Sequence, residues 1–345
     1  MKLEFIYYFT FYSDKSPTVR YRGKYMLDYL KSHYGVSSYF IVPNYHPAAI
    51  LLFLKSYVSA LFFPKQGSLI MIQSVYSKRL YANALKLLVY FRKDISCYDL
   101  DDADYLRYSP ETIYYFLRNC GVVSLGSSEL VKNLSFLNNN SIMITCPIPD
   151  LSIVKKKKNE VLTIGWIGDF TSGHKESLMT LFFPALQELS FPINLVMLGV
   201  TRNAEYESLN DYLKMLDHVK VEIPRDIDWQ DEISLQHKIA TFDIGIATLL
   251  DTEFYRSKSA FKLKQYLNNG VPVLSSDVAE NNVFVDHGKN GFLCTRPDDF
   301  KKRIIEFNNM NQSEYQVFSD NARNTVKRFD MRNFCEELIE IIKQK

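Results

Sequence analysis

Three side chains in the last third of the chain have the types and spacing to hold a diphosphate. In the run Tyr255-Arg256-Ser257-Lys258-Ser259-Ala260-Phe261-Lys262-Leu263-Lys264-Gln265-Tyr266-Leu267-Asn268-Asn269-Gly270, Lys258, Lys262 and Gln265 fall at i, i+4 and i+7. That spacing predicts one face of a short helix, with Ser259 as N-cap and Gly270 as the stop. Leu263, Tyr266 and Leu267 would cover the opposite face. The amino end of a helix offers unpaired backbone N–H groups, here those of Ala260 and Phe261, and a partial positive charge. Two lysines beside it make an anion site, and a Gln amide one turn deeper can both donate to and accept from a ribose hydroxyl. On spacing alone, an ordinary surface helix with solvated lysines explains the pattern as well.

Other candidates lie in loops that follow β-rich runs. Gly168 and Asp169 end the run Ile164-Gly165-Trp166-Ile167. A glycine there lets backbone approach a ligand, or is a plain turn. Arg202, after Leu198-Gly199, is a second phosphate candidate or a solvated helix-start residue. Asp101 and Asp102, in Asp99-Leu100-Asp101-Asp102-Ala103, are carboxylates that either meet a substrate or cap the loop. Arg20 and Arg22 follow Ser16-Pro17-Thr18-Val19 behind the first run. His174 and Lys175 match no fixed motif. The remaining histidines have no metal-ligand spacing, so no metal is expected. No phosphate-binding Gly-x-x-x-x-Gly-Lys-Ser/Thr loop and no Gly-x-Ser-x-Gly elbow is present.

The run through Gly270-Val271-Pro272-Val273, continued by His287-Gly288-Lys289-Asn290-Gly291-Phe292-Leu293, resembles the donor-binding region of glycosyltransferase family 4, the retaining GT-B family. Ile164–Asp169 resembles the first strand and glycine turn of its donor domain. Ser16-Pro17-Thr18-Val19-Arg20-Tyr21-Arg22 and the Asp99–Ala103 loop resemble a subset of it, and the last helix, Phe329 to Lys343, resembles its tail. The resemblance spans essentially the whole chain. It implies a nucleotide diphosphate-sugar donor bound by the C-terminal half and a saccharide or lipid-linked acceptor beside Arg20, Arg22, Asp101 and Asp102. It also implies no further cofactor, since a helix dipole and basic side chains, Lys262 among them, can stabilise the leaving diphosphate. Two departures stand out. The family's two glutamates fall on Ser257 and Gln265, and the acidic loop lacks the His that many relatives carry.

The elements that must position these residues alternate regularly. Strands are expected at Leu3–Phe9, Ser38–Val42, Leu69–Ile72, Ile95–Tyr98, Val122–Leu125 and Ile142–Thr145. A second set is expected at Leu162–Ile167, Asn194–Leu198, Val219–Ile223, Asp243–Ala247, Pro272–Leu274 and Phe292–Cys294. Helical stretches between them imply parallel βαβ units. Lys155-Lys156-Lys157-Lys158-Asn159, after a proline pair, reads as an exposed linker. The expected fold is therefore α/β, of the GT-B kind: two Rossmann-like α/β/α domains with a central cleft. They would span 1–150, binding acceptor, and 160–328, binding the nucleotide-sugar, with a helix at 329–345 packing back towards the first.

Composition is consistent with this and excludes little else. The 345 residues suit two domains, and 41 Lys and Arg against 39 Asp and Glu argue against a nucleic-acid binder. Five scattered cysteines suggest a reducing compartment, and no signal peptide is read at the start. The stretch 47–63 is apolar all round. It reads either as a helix buried between sheet and neighbours or as a patch lying on the inner face of the cytoplasmic membrane. The function expected is glycosyl transfer, with retention, in bacterial surface-polysaccharide assembly. The alternatives are a non-catalytic donor-binding or scaffold protein and a GT-B nucleotide-sugar 2-epimerase, for which the carboxylate and His set is missing.

Overall fold

A computed structural model describes residues 2–76, 78–148, 153–155 and 157–343. The chain divides into two compact units. One comprises Met1–Pro149, Ser257–Ser259 and Phe329–Lys345, and the other Asp150–Arg256 and Ala260–Arg328.

The first unit is built on six parallel strands: β1 (Phe5–Thr10), β2 (Ser37–Ile41), β3 (Ser68–Gln73), β4 (Ser96–Leu100), β5 (Val122–Leu125) and β6 (Ser141–Met143). Their order is β2-β1-β3-β4-β5-β6. β1, β3, β4 and β5 are buried along their whole length, which is why they are mostly apolar, with buried polar residues such as Asp99 and Gln73 hydrogen-bonded inside. The helices are α1 (Pro17–Val19), α2 (Tyr25–Tyr34), α3 (Pro47–Phe62), α4 (Arg79–Phe91), α5 (Pro110–Asn119) and α6 (Ser128–Leu134). A π-helical turn, Arg20–Lys24, joins α1 to α2.

Helix α3 corrects one expectation. Its Ser56, Ala60 and Leu61 are buried, but Ile50, Leu51, Leu54, Val58 and Phe62 are exposed, Leu51 by 68%. The helix is not enclosed, because it packs on the edge strand β2 and on α4. Helix α4 in turn exposes Leu80, Leu87, Tyr90 and Phe91.

The second unit carries β7 (Leu162–Ile167), β8 (Ile193–Leu198), β9 (Val219–Glu222), β10 (Ile244–Ala247), β11 (Val273–Ser276) and β12 (Gly291–Cys294). They are parallel in the order β12-β11-β10-β7-β8-β9, the doubly wound nucleotide-binding order. Its helices are α7 (Ser172–Ser177), α8 (Phe183–Gln187), α9 (Asn203–Lys214), α10 (Glu232–Ile239), α11 (Glu253–Arg256), α12 (Phe261–Asn268), α13 (Asn281–Phe284), α14 (Pro297–Asn309) and α15 (Gln312–Val326). The last helix, α16 (Met331–Lys343), belongs to the first unit, where Phe334, Cys335 and Leu338 enter the core beside Met26 and Leu30.

The basic run after the proline pair is not the exposed linker expected. Lys155 is buried, with Nζ 3.1 Å from Asp243, and Lys158 Nζ donates to the carbonyls of Asn308 (2.7 Å) and Met310 (2.9 Å). Asn159 also binds Asp243. A buried carboxylate on the second unit demands a cation, and Lys155 supplies it. Lys156 lies outside the described residues.

Candidate functional site

In the second sheet the strand order reverses between β7 and β10, and ligands of such sheets bind beyond the carboxyl ends at that point. There β7 and β10 pair only at Ile164↔Ile244 and Gly165↔Gly245. The Tyr266 hydroxyl bridges the gap above. It accepts from the Ile167 N–H (2.8 Å) and donates to the Ile246 carbonyl (3.2 Å). Tyr266 thereby anchors α12 over the switch point.

One turn earlier on α12, Lys262 lies with Nζ 4.9 Å from the centre of the Trp166 ring. It also crowds Gly168: a Cβ there would come 2.6 Å from the ammonium nitrogen. Gly199, at the end of β8, approaches closer still, since its Cβ would meet the Gly168 carbonyl oxygen at 1.7 Å. The Gly168 N–H donates to Leu198 (2.9 Å). Two strand ends and a lysine therefore converge because neither glycine carries a side chain. Asp169 is exposed and accepts from the Thr171 hydroxyl at 3.0 Å. Arg202 is exposed at the amino end of α9.

Ser259 does not cap the helix. The N-cap is Ala260 in the left-handed region, φ 51°, and Ser259 is buried before it. That reversal also takes Lys258 off the helical face shared by Lys262 and Gln265. Lys258 groups with the first unit, and its Nζ lies 2.6 Å from Asp102. Phe261 opens the helix, and Gln265 is buried within it at 3% exposure. Ser257 is also buried, and its carbonyl accepts from the Ser127 hydroxyl at 2.8 Å.

In the first unit the acidic loop follows β4. Arg22, expected at a rim, is fully buried. Its guanidinium forks onto Asp99, with Nε donating to Oδ2 at 2.9 Å, and also donates to the Ile144 carbonyl (2.6 Å) and the Ser124 hydroxyl (3.1 Å). Gln73 donates to the same carboxylate at 2.7 Å. Arg22 thus ties β4 and β5 to the segment following β6, and Gln73 joins β3 to the same carboxylate. Arg20 is likewise buried, reaching the carbonyls of Asp14 and Lys15 at 3.4 Å. Asp101 is 3.6 Å from Arg22 and accepts from the Thr18 hydroxyl at 3.2 Å. Asp102, paired with Lys258, stays partly open. Asp104, which the sequence did not bring forward, has its carboxyl pushed up to about 7 by burial and by Asp102 and Asp101, against the opposing pull of Lys258 and Arg107.

Residues 161–309 match the family described as glycosyl transferases group 1. Over those residues the chain is similar to that family, and its two-sheet architecture is the GT-B fold. Solved structures agree on the fold across the whole length. HepE from Anabaena, in complex with UDP and glucose, is 13% identical over 99% of both chains, with a TM-score of 0.71. A glycosyltransferase from Rickettsia africae is 12% identical over 100% of this chain and 99% of that one, at 0.70. Sucrose-phosphate synthase from Thermosynechococcus elongatus is 12% identical over 99% and 98%, at 0.72. No curated protein matches the sequence.

The fold brings Gly168 and Lys262 together, and separately Asp102 and Lys258. Trp166, under Lys262, belonged to the glycine-turn segment but had no signal of its own. Asp104 had only its place in an acidic loop, and its environment comes from side chains distant in sequence.

Proposed function

We propose that this protein is a glycosyltransferase that moves a sugar from a nucleoside diphosphate donor to a saccharide or lipid-linked saccharide acceptor, with retention. The observation that carries the reading is Lys262, held over Trp166 and Gly168 at the switch point of the second sheet, inside the family-matched residues. The diphosphate would lie against Lys262 and the first amides of α12, with Arg202 as a further cation and Gln265 on the ribose. The anomeric C–O bond breaks with its electron pair passing to the diphosphate. The acceptor oxygen bonds to that carbon, and its proton passes to the departing phosphate oxygen. Lys262 and the helix amino end stabilise the charge that develops. Asp101 and Asp102 serve the acceptor side, and no further cofactor is invoked.

The setting we propose is bacterial surface-polysaccharide assembly at the cytoplasmic face of the membrane. Supporting it, 47–63 presents the open apolar face of α3, α4 adds to it, and no Asp or Glu occurs between Asp28 and Asp94. No helix among the described residues is long and apolar enough to cross a membrane.

The deciding experiment is a thermal-shift screen over nucleoside diphosphates and their sugars, followed by transfer or hydrolysis assays. UDP-glucose comes first, because HepE has been solved with it. A ligand at 100 times its Kd adds about 2.7 kcal/mol of stability. Gln265→Ala should weaken donor binding with the fold retained. Nucleotide binding with every sugar donor left intact, acceptors supplied, would instead establish a scaffold protein. Ser257, where the family has an acid, would then be the first residue to blame.

A further inference from the structure

We propose that Tyr12, Tyr76 and Tyr108 form a stacking platform for an uncharged saccharide ring, which is the acceptor if the glycosyl-transfer reading holds. In the first sheet the order reverses between β1 and β3, so this is where that sheet offers a ligand crevice. Tyr12 follows β1, Tyr76 follows β3, and Tyr108 follows the neighbouring β4. Three loops separated in sequence thus deliver tyrosines to one switch point.

The rings are already arranged. Tyr76 and Tyr108 stack at 4.1 Å and 10°. The Tyr76 hydroxyl donates to that of Tyr12 at 2.9 Å, and Phe11 braces both, 4.9 Å from Tyr12 and 5.7 Å from Tyr76. Tyr76 is the floor at 5% exposure, whereas Tyr12 and Tyr108 remain 37% and 42% exposed. The Tyr76 loop is bracketed by Ser74 and Lys78, both non-glycine residues at positive φ (52° and 49°), a costly conformation that persists where the surroundings impose it.

The chemistry selects the occupant. A pyranose has an apolar C–H face that packs on an aromatic ring and a rim of hydroxyls that bond to polar groups. Here the polar groups are the tyrosine hydroxyls and the Asp104 carboxyl; burial, and after it the charge of Asp104, hold the Tyr76 phenol protonated. The one lysine described beside the rings, Lys78, 5.2 Å from the Phe11 ring, donates to the Pro43 carbonyl at 3.1 Å, and the Asp104 carboxyl lies on the same side, so an anion is not favoured there.

The test is saturation-transfer NMR on the full chain with the methyl glycosides of glucose, galactose and N-acetylglucosamine. At least one should receive saturation on its ring C–H protons. Tyr108→Ala and Tyr12→Ala should each weaken it roughly two- to tenfold, Tyr108→Trp should keep it, and the UDP-induced thermal shift should be unchanged in all three. Tyr108→Leu, which preserves bulk without an aromatic face, should fail like Tyr108→Ala. No saturation of any glycoside, or equal saturation in wild type and the alanine variants, overturns the platform. No thermal shift of the wild type with any nucleoside diphosphate or its sugar overturns the transfer reading and leaves the platform standing.

Discussion

Lys262 and Gly168 are fitted to one another: the lysine ammonium stands where a side chain at 168 would begin, 2.6 Å from the position of its Cβ. Gly168→Ala should therefore displace Lys262, and at φ 156° it also strains the end of β7. Both Gly168→Ala and Lys262→Ala are expected to weaken UDP binding, the latter by about 1.5–3 kcal/mol for a lost charge-assisted contact. Calorimetric titration of the two variants checks this. Wild-type affinity in Lys262→Ala would remove the lysine from the donor site.

Arg22 is expected to act on stability. Breaking a fully buried ion pair by removing one partner costs about 3–5 kcal/mol, and Arg22 and Asp99 are both fully buried. Arg22→Met should lower the urea midpoint accordingly, and adding Asp99→Leu should recover part of the loss. A folded Arg22→Met protein of full stability with poor acceptor use would restore Arg22 to the acceptor site.

Asp104 should make the protein less stable as pH rises from about 4 to about 7. Its carboxyl is raised from 3.8 to about 7 in the fold, so in that window the folded state holds a proton that the unfolded state has released. Stability then falls with pH. Asp104→Asn should flatten this slope, measured as Tm against pH. An identical slope in the variant would mean that Asp104 is solvated like an ordinary surface acid.

The open face of α3 should bind anionic vesicles. Leu51→Glu with Leu54→Glu places two charges among side chains that are 68% and 51% exposed, so the fold should tolerate them. Co-sedimentation with vesicles containing phosphatidylglycerol should be lost, and UDP binding kept. Equal sedimentation of the variant, or none by the wild type, would sink the membrane reading.

Much of the architecture is legible in the amino-acid order. The twelve strands among the described residues lie where short β-rich runs predict them, the central ones because a strand covered on both faces must be largely apolar and a turn must follow it. Val122–Leu125 and Leu162–Ile167 agree to the residue. The helix ending at Gly270 and the glycine at 168 are local signals too, set by backbone conformations that few other residues adopt.

What the order of residues did not determine depends on partners far away in the chain. Lys155 reads as solvated until Asp243, distant in sequence, is placed beside it. Arg22 reads as a substrate contact until β4 brings Asp99 under the π turn. Lys258 and Lys262 read as one helical face until Ala260 turns left-handed and divides them. The apolar run of α3 is the same whether or not something covers it, and only its place on an edge strand leaves it open. Local sequence sets propensity and periodicity, but burial and charge pairing are properties of which segments meet. That is settled only when the sheets close.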